Sequence, residues 1–130
     1  MAREVTFGVS EVEFNRLKDA VRKVGEEHGA ARGSWVVDGN TTKATAERLV
    51  KGLDDGDPEV IDSLPELRIG EWADDPSEND IVSEAVYAGH IDIAQNELAP
   101  EEVDELIGDY MDGWYSGMQA EVERSARAVL

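Results

Sequence analysis

Negative charge is concentrated in one stretch of this chain, and that stretch limits how the chain can fold. Residues 54–112 contain twenty of the thirty acidic residues and a single basic residue, Arg68. The flanking residues 1–53 and 113–130 are close to neutral, so the middle stretch accounts for the net charge of −18. Because like charges repel one another in a compact state, this stretch requires screening salt, a bound cation or a basic partner.

The length and composition fit one domain covering residues 1–130. A chain of 130 residues with 41% hydrophobic residues can bury one modest core. No stretch approaches the ~18 apolar residues that span a membrane, and no signal-peptide pattern is present, so we expect a cytoplasmic protein without a membrane segment. The absence of cysteine excludes disulfides, thiolate metal sites and a cysteine nucleophile.

The residue pattern predicts an α+β fold that is mainly helical, with about five helices and one or two short strands near the N-terminus. Apolar and polar residues alternate over residues 3–9, which predicts a strand, and residues 35–37 (Trp-Val-Val) predict a second one. Between them, apolar residues recur at helical spacing over residues 11–24, and Gly25 is expected to end this helix. The glycine-containing residues 25–34 are predicted to form a loop.

Local signals predict four further helices. The second ends near Leu53 and is capped by Asn40 or Thr41, and the third follows Asp57 as N-cap and Pro58 in the first turn. A fourth is expected over residues 77–88 and a long amphipathic one over residues 100–130. Within that last helix, glycines 113 and 117 either let another helix approach closely or mark a bend.

Catalytic and metal-binding motifs are not found in this sequence, so no catalytic residue, cofactor or dedicated metal site is predicted. The sequence has no nucleophile motif and no phosphate-binding loop. His90 and Asp92 have the spacing of a metal or acid–base pair, but no third ligand follows at a recognisable distance. The acidic residues around Gly56 superficially resemble a calcium loop, but the remaining ligand positions do not match.

The surplus of acidic residues has three explanations that the sequence leaves open: salt adaptation, a basic partner, and partial disorder. With four lysines, eight arginines and many Ala and Val residues, the chain resembles in composition the small acidic proteins of haloarchaea. That resemblance implies a salt-adapted organism or its virus, in whose cytoplasm screening removes the repulsion. Regular apolar spacing argues against disorder.

We interpret the chain as a non-enzymatic interaction or regulatory protein whose carboxylates meet solvent cations or a basic protein. In one form of this interpretation the carboxylates imitate the phosphates of DNA. The predicted partner-binding residues are Asp54, Asp55, Asp57, Asp74, Asp75, Glu101, Glu102, Asp104 and Glu105.

A second interpretation comes from residues 3–24, where an alternating strand precedes a helix. This segment resembles the opening of ribbon-helix-helix DNA-binding proteins, which implies a dimeric DNA-binding regulator and a second helix beginning soon after Gly25. Nucleic acid would then be bound through the N-terminal basic face. The alternative for this face is pairing with the acidic stretch. The basic patch consists of Arg16, Lys18, Arg22 and Lys23.

The C-terminal helix also carries large side chains on one face, namely Tyr110, Trp114 and Met118. Such a stripe usually belongs to a core, but aromatic residues and Met are also enriched in protein interfaces. Because the helix is long for so small a protein, a homodimer through these three residues is predicted as an alternative to burial.

Overall fold

The structure, a computed structural model, describes residues 10–71, 75–93 and 98–130 of the chain. None of the helices in these ranges combines the length and the apolar character that crossing a membrane requires. The protein is mostly helical. Five helices are described: α1 (Glu11–Gly33), α2 (Lys43–Asp55), α3 (Pro58–Asp62), α4 (Glu78–Ala88) and α5 (Pro100–Val129).

The prediction of an α+β fold is wrong, because the described residues contain helices and no strand. Residues 35–37 form a turn after α1, in which the Trp35 amide donates to the Arg32 carbonyl and the Val36 amide donates to the Gly33 carbonyl, both at 3.1 Å. A short apolar run directly after a helix can prolong the helix end in this way instead of extending. The strand predicted over residues 3–9 lies outside the described residues.

The first helix is longer than the sequence predicts, since α1 continues through Gly25 and ends at Gly33. The loop predicted over residues 25–34 is therefore wrong. A Cβ atom on Gly29 would collide with the carbonyl oxygen of Trp114 and lie 2.7 Å from its carbonyl carbon. Glycine at this position permits close helix packing, and the contact with α5 offsets its low helix propensity.

The described residues form two compact units. The first unit comprises the described parts of residues 1–25 and 68–113, and it contains the beginning of α1, all of α4 and the beginning of α5. A Cβ atom on Gly113 would collide with the carbonyl oxygen of Arg22, so α1 and α5 approach closely here. The buried side chains of this unit include Phe14, Leu17, Val21, Ile81, Ala85, Leu106 and Tyr110.

The second unit comprises residues 26–67 and 114–130, which contain the end of α1, α2, α3 and the end of α5. A Cβ atom on Gly117 would collide with the Glu26 carbonyl oxygen. Together with the contact between Gly29 and Trp114, this favours close approach over a bend for the glycines of α5. The buried side chains include Ala46, Leu49, Val50, Val60, Leu64, Trp114, Met118, Val122 and Ala126.

Helix caps account for the start of the shorter helices. Thr42, and neither Asn40 nor Thr41, caps α2: its hydroxyl oxygen accepts from the Thr45 amide at 3.2 Å. The caps predicted for α3 are confirmed, because Asp57 accepts from the Glu59 amide at 3.0 Å and proline occupies the first turn. Ser77 and Asp80 form a reciprocal capping box at the start of α4.

The end of α4 contains a residue in the left-handed region that is not glycine. His90 has a φ of 51°. The His90 amide donates to the Tyr87 carbonyl at 3.2 Å, and the Ile91 amide donates to the Val86 carbonyl at 3.0 Å. This pair of bonds defines a Schellman motif, in which the left-handed position is usually glycine.

We expect His90→Gly to raise the free energy of unfolding by about 0.5 kcal/mol, because glycine adopts this conformation without a Cβ penalty. The shift of the urea denaturation midpoint measures the effect. His90→Ala is the control, because alanine also lacks the imidazole but keeps the Cβ atom. Equal midpoints for the glycine and alanine variants would show that backbone strain at His90 is not the cause.

Candidate interaction surfaces

Two carboxylates predicted to bind a partner instead satisfy helix ends. Asp57 caps α3. Glu102 is only 6% exposed, and its Oε1 atom accepts from the Ala99 amide at 2.8 Å at the start of α5. The prediction that Glu102 contacts a partner is therefore wrong, because its side chain is buried by the chain itself.

Two further predicted carboxylates form ion pairs within the chain. Asp54 accepts from the Arg127 guanidinium at 2.9 Å, and Glu105 accepts from the Lys18 ammonium at 3.0 Å. A hydrogen bond with the Glu123 carboxyl and the nearby Arg127 charge lower the pKa of the Asp54 carboxyl, while burial opposes them. Asp54 and Glu105 are thus partly neutralised before any partner arrives.

The remaining predicted carboxylates differ in exposure. Asp55, Glu101 and Asp104 are exposed, and Asp75 is half-buried. Asp74 lies outside the described residues. Asp75 and Glu84 lie near the buried Tyr110 hydroxyl, and burial followed by these two charges raises the pKa of Tyr110 to about 12.

The first turns of α5 carry an exposed row of carboxylates, which we call the acidic stripe: Glu101, Asp104, Glu105 and Asp112. Their spacing of three, four, seven and eight residues places them on one face of the helix. Glu101, Asp104 and Asp112 make no hydrogen bond or ion pair with the part of the chain that the structure describes. Sequence reasoning missed Asp112, although its helical phase relative to Asp104 was a usable signal.

Two residues of the basic patch of α1 bond to other residues of their own unit. Arg16 donates to the carbonyl oxygen of Gly89, at the end of α4, at 3.1 Å. Lys18 pairs with Glu105 and lies 3.9 Å from the Asp109 carboxylate. Lys18 thus pairs with carboxylates of the acidic stretch, whereas Arg16 bonds to a backbone carbonyl and, within the described residues, to no carboxylate. Arg22 and Lys23 are exposed.

The arrangement of helices differs from the one that the ribbon-helix-helix resemblance implies. A second helix should begin soon after Gly25, but α1 continues to Gly33 and α2 begins only at Lys43. The segment that would read the major groove lies in residues 3–9, outside the described residues.

The three side chains predicted for a dimer interface are buried within the chain. Tyr110, Trp114 and Met118 are 1%, 4% and 1% exposed. The prediction that they form an exposed interface is wrong, because the chain itself buries all three side chains. They offer no surface to a second copy.

A cleft of about 380 Å³ opens in the second unit between residues 61–67 and residues 115–119 of α5. The Tyr115 hydroxyl accepts from the Leu67 amide at 3.4 Å and so ties the segment after α3 to α5. Asp62 and Glu66 line the cleft and are exposed. Neither carboxylate has a hydrogen bond or ion pair within the described ranges. Sequence reasoning missed this site, because only folding brings α5 beside residues 61–67.

Among the residues that the structure describes, no group of three or more His, Asp or Glu side chains is placed to hold a metal ion. Comparison with family models, with curated proteins and with solved structures finds no match to this chain. Function is therefore inferred from charge, exposure and shape.

Proposed function

We propose that this protein is a non-enzymatic interaction protein that binds a basic partner through the acidic stripe of α5. The observation that carries the proposal is the exposure of Glu101, Asp104 and Asp112 on one helix face, without partners in the described part of the chain. A helix holds these carboxylates in fixed positions, so a complementary basic surface meets them without further ordering. Such surfaces accelerate association and lose strength as salt rises.

The linear row of negative charges in the stripe favours a partner that ordinarily binds DNA. The four carboxylates are spread over eleven residue steps, about 16 Å of helix, which gives a mean separation of ~5.5 Å. A strand of duplex DNA carries one phosphate per ~3.4 Å. Lys18 neutralises part of this charge at Glu105, so the stripe is a linear array of negative charge that is sparser than a phosphate backbone. We therefore propose DNA mimicry as the form of the interaction.

A salt-rich cytoplasm is part of the same proposal. The net charge of −18 and the presence of twice as many arginines as lysines support it, because the composition resembles that of small haloarchaeal proteins. Screening at high salt reduces repulsion between the exposed carboxylates, while contacts at short range persist. The acidic stripe then provides specificity for the partner, and the remaining negative charge of the chain keeps the protein soluble.

We expect Glu101→Gln/Asp104→Asn/Asp112→Asn to weaken binding to the histone octamer, a basic DNA-binding assembly, by about tenfold. Three partly exposed charge pairs at ~0.5 kcal/mol each give this factor. Isothermal titration calorimetry at two salt concentrations measures it, and added duplex DNA should compete with the parent protein.

The matched control is Asp19→Asn/Glu27→Gln/Glu47→Gln, which removes the same charge from exposed positions off the stripe. Lysozyme is a basic protein whose function is not DNA binding, so its affinity for the parent protein tests whether opposite net charge alone accounts for binding. Equal weakening by both triple variants would refute a localised stripe. Equal affinity for lysozyme and the octamer would refute DNA mimicry, and no binding at low salt would refute the interaction itself.

A further inference from the structure

We propose that the cleft beside Tyr115 is a pocket for a single arginine side chain of the partner, an inference that rests on the interaction function proposed above. The cleft is formed by the end of α3, the segment after it and residues 115–119 of α5. These elements belong to one compact unit. The pocket and the acidic stripe are thus separate features with separate residues.

The floor of the cleft is apolar. Leu64 and Met118 are buried, and Ile61 and Leu67 are half-buried. A side chain that enters here must cover apolar surface with its own methylene groups. Arginine and lysine both do so while keeping the charged end toward solvent.

The polar groups of the cleft select for positive charge. Asp62 and Glu66 are carboxylates without a partner in the described ranges, and the Gln119 amide likewise makes no hydrogen bond there. Two carboxylates and an amide oxygen offer several acceptors around one opening. An anionic group would meet repulsion from these carboxylates and from the net charge of the chain.

Guanidinium chemistry fits the cleft better than an ammonium group does. A guanidinium has five N–H donors in one plane, so it can bond to two carboxylates and an amide oxygen together. It is weakly hydrated and stacks on aromatic faces, and the Tyr115 side chain lines the cleft. An ammonium group would have to lose a stronger hydration shell in the same place.

The volume of the cleft limits the occupant. Small-molecule sites usually have volumes of about 300–1,000 Å³ and enclose most of the ligand. At about 380 Å³ and open to solvent, this cleft accommodates one long side chain and leaves its backbone outside. The structure therefore points to a residue of a partner protein as the occupant.

The test is an NMR titration of the full chain with N-acetyl-arginine amide, with the citrulline analogue as the neutral isostere. We expect amide shift changes clustered at residues 61–67 and 115–119, and no comparable changes with citrulline. Asp62→Asn/Glu66→Gln should weaken arginine binding roughly fivefold. The matched variant Asp19→Asn/Glu47→Gln, which removes the same charge outside the cleft, should change it less than about twofold.

Several outcomes would overturn the proposal that the cleft binds an arginine side chain. These are equal shifts with citrulline, arginine shifts spread over the whole surface, equal weakening by both double variants, or lysine binding as strongly as arginine. Circular dichroism of each variant excludes loss of folding as the cause.

The octamer experiment separates this pocket from the interaction function. If Asp62→Asn/Glu66→Gln weakens octamer binding no more than its control variant does, the proposed pocket is refuted and the interaction function stands. If arginine binds in the cleft but the octamer does not bind at all, the interaction with the octamer is refuted and the arginine site stands.

Discussion

Gly117→Ala is expected to lower the free energy of unfolding by about 2–3 kcal/mol, because overpacking at a tight contact forces backbone shifts. The added Cβ atom would collide with the Glu26 carbonyl oxygen and lie 2.7 Å from the Glu26 Cα atom. These are backbone atoms of α1, so no side-chain rotation relieves the contact. Urea denaturation followed by circular dichroism measures the loss.

The control for this prediction lies in the same helix. Gly108 is exposed, and a Cβ atom there would meet nothing within 4 Å. Gly108→Ala should therefore stabilise the protein by up to ~1 kcal/mol, because only helix propensity changes. Destabilisation by both substitutions, or by neither, would contradict the close packing of α1 and α5 in the second unit.

Trp114→Ala is the second large effect, with an expected loss of about 3–5 kcal/mol, the usual result of truncating a buried tryptophan. Trp114 is 4% exposed and meets the Tyr115 ring edge-on at a centroid distance of 5.0 Å. Globular domains are typically stable by only about 5–15 kcal/mol, so this variant should melt far below the parent. Thermal denaturation provides the measurement.

Trp35→Ala provides the comparison, because Trp35 is 72% exposed and contacts the Arg32 guanidinium at 4.8 Å from the ring centroid. We expect a change of about 0.5 kcal/mol or less. Trp114→Phe keeps the test informative if Trp114→Ala fails to fold, since it retains an aromatic ring. Full stability of Trp114→Ala together with slower sedimentation would place this side chain in an interface, contrary to its burial.

The sequence predicts elements whose signals are local. Asp57 and Pro58 mark the start of α3, Ser77 precedes α4, and Pro100 begins α5. Each signal acts through bonds within one helical turn, so no distant neighbour changes its meaning. The start of each of these three helices could therefore be found without a structure.

Sequence signals whose interpretation depends on distant residues give wrong predictions here. Gly25 looks like a helix end, yet α1 continues through it and through Gly29, whose backbone is in contact with Trp114. A glycine in the sequence is equally compatible with a helix end and with a tight contact between two helices. Only the position of the partner helix distinguishes the two cases. Residues 35–37 were too few for alternation to distinguish a strand from a turn.

The sequence predicts which region of the chain carries the candidate surfaces, but it does not predict which side chains of that region are exposed. The acidic stretch contains both the exposed Asp104 and the buried Glu102, which differ by two positions. Helical phase separates them once α5 is accepted, and it also adds Asp112 to the stripe. The cleft at Asp62 and Glu66 required the position of Tyr115, to which no sequence pattern points.

The close contacts made by the glycines of α1 have a consequence for synthesis of the chain. Gly29 packs against the backbone at Trp114, so this part of the N-terminal helix lacks its neighbour until the C-terminal segment has been translated. Contacts between such distant segments require closure of a long loop, which slows folding. On the ribosome, this part of the nascent chain therefore lacks its packing partner until α5 follows, and early release or truncation should expose it to proteolysis.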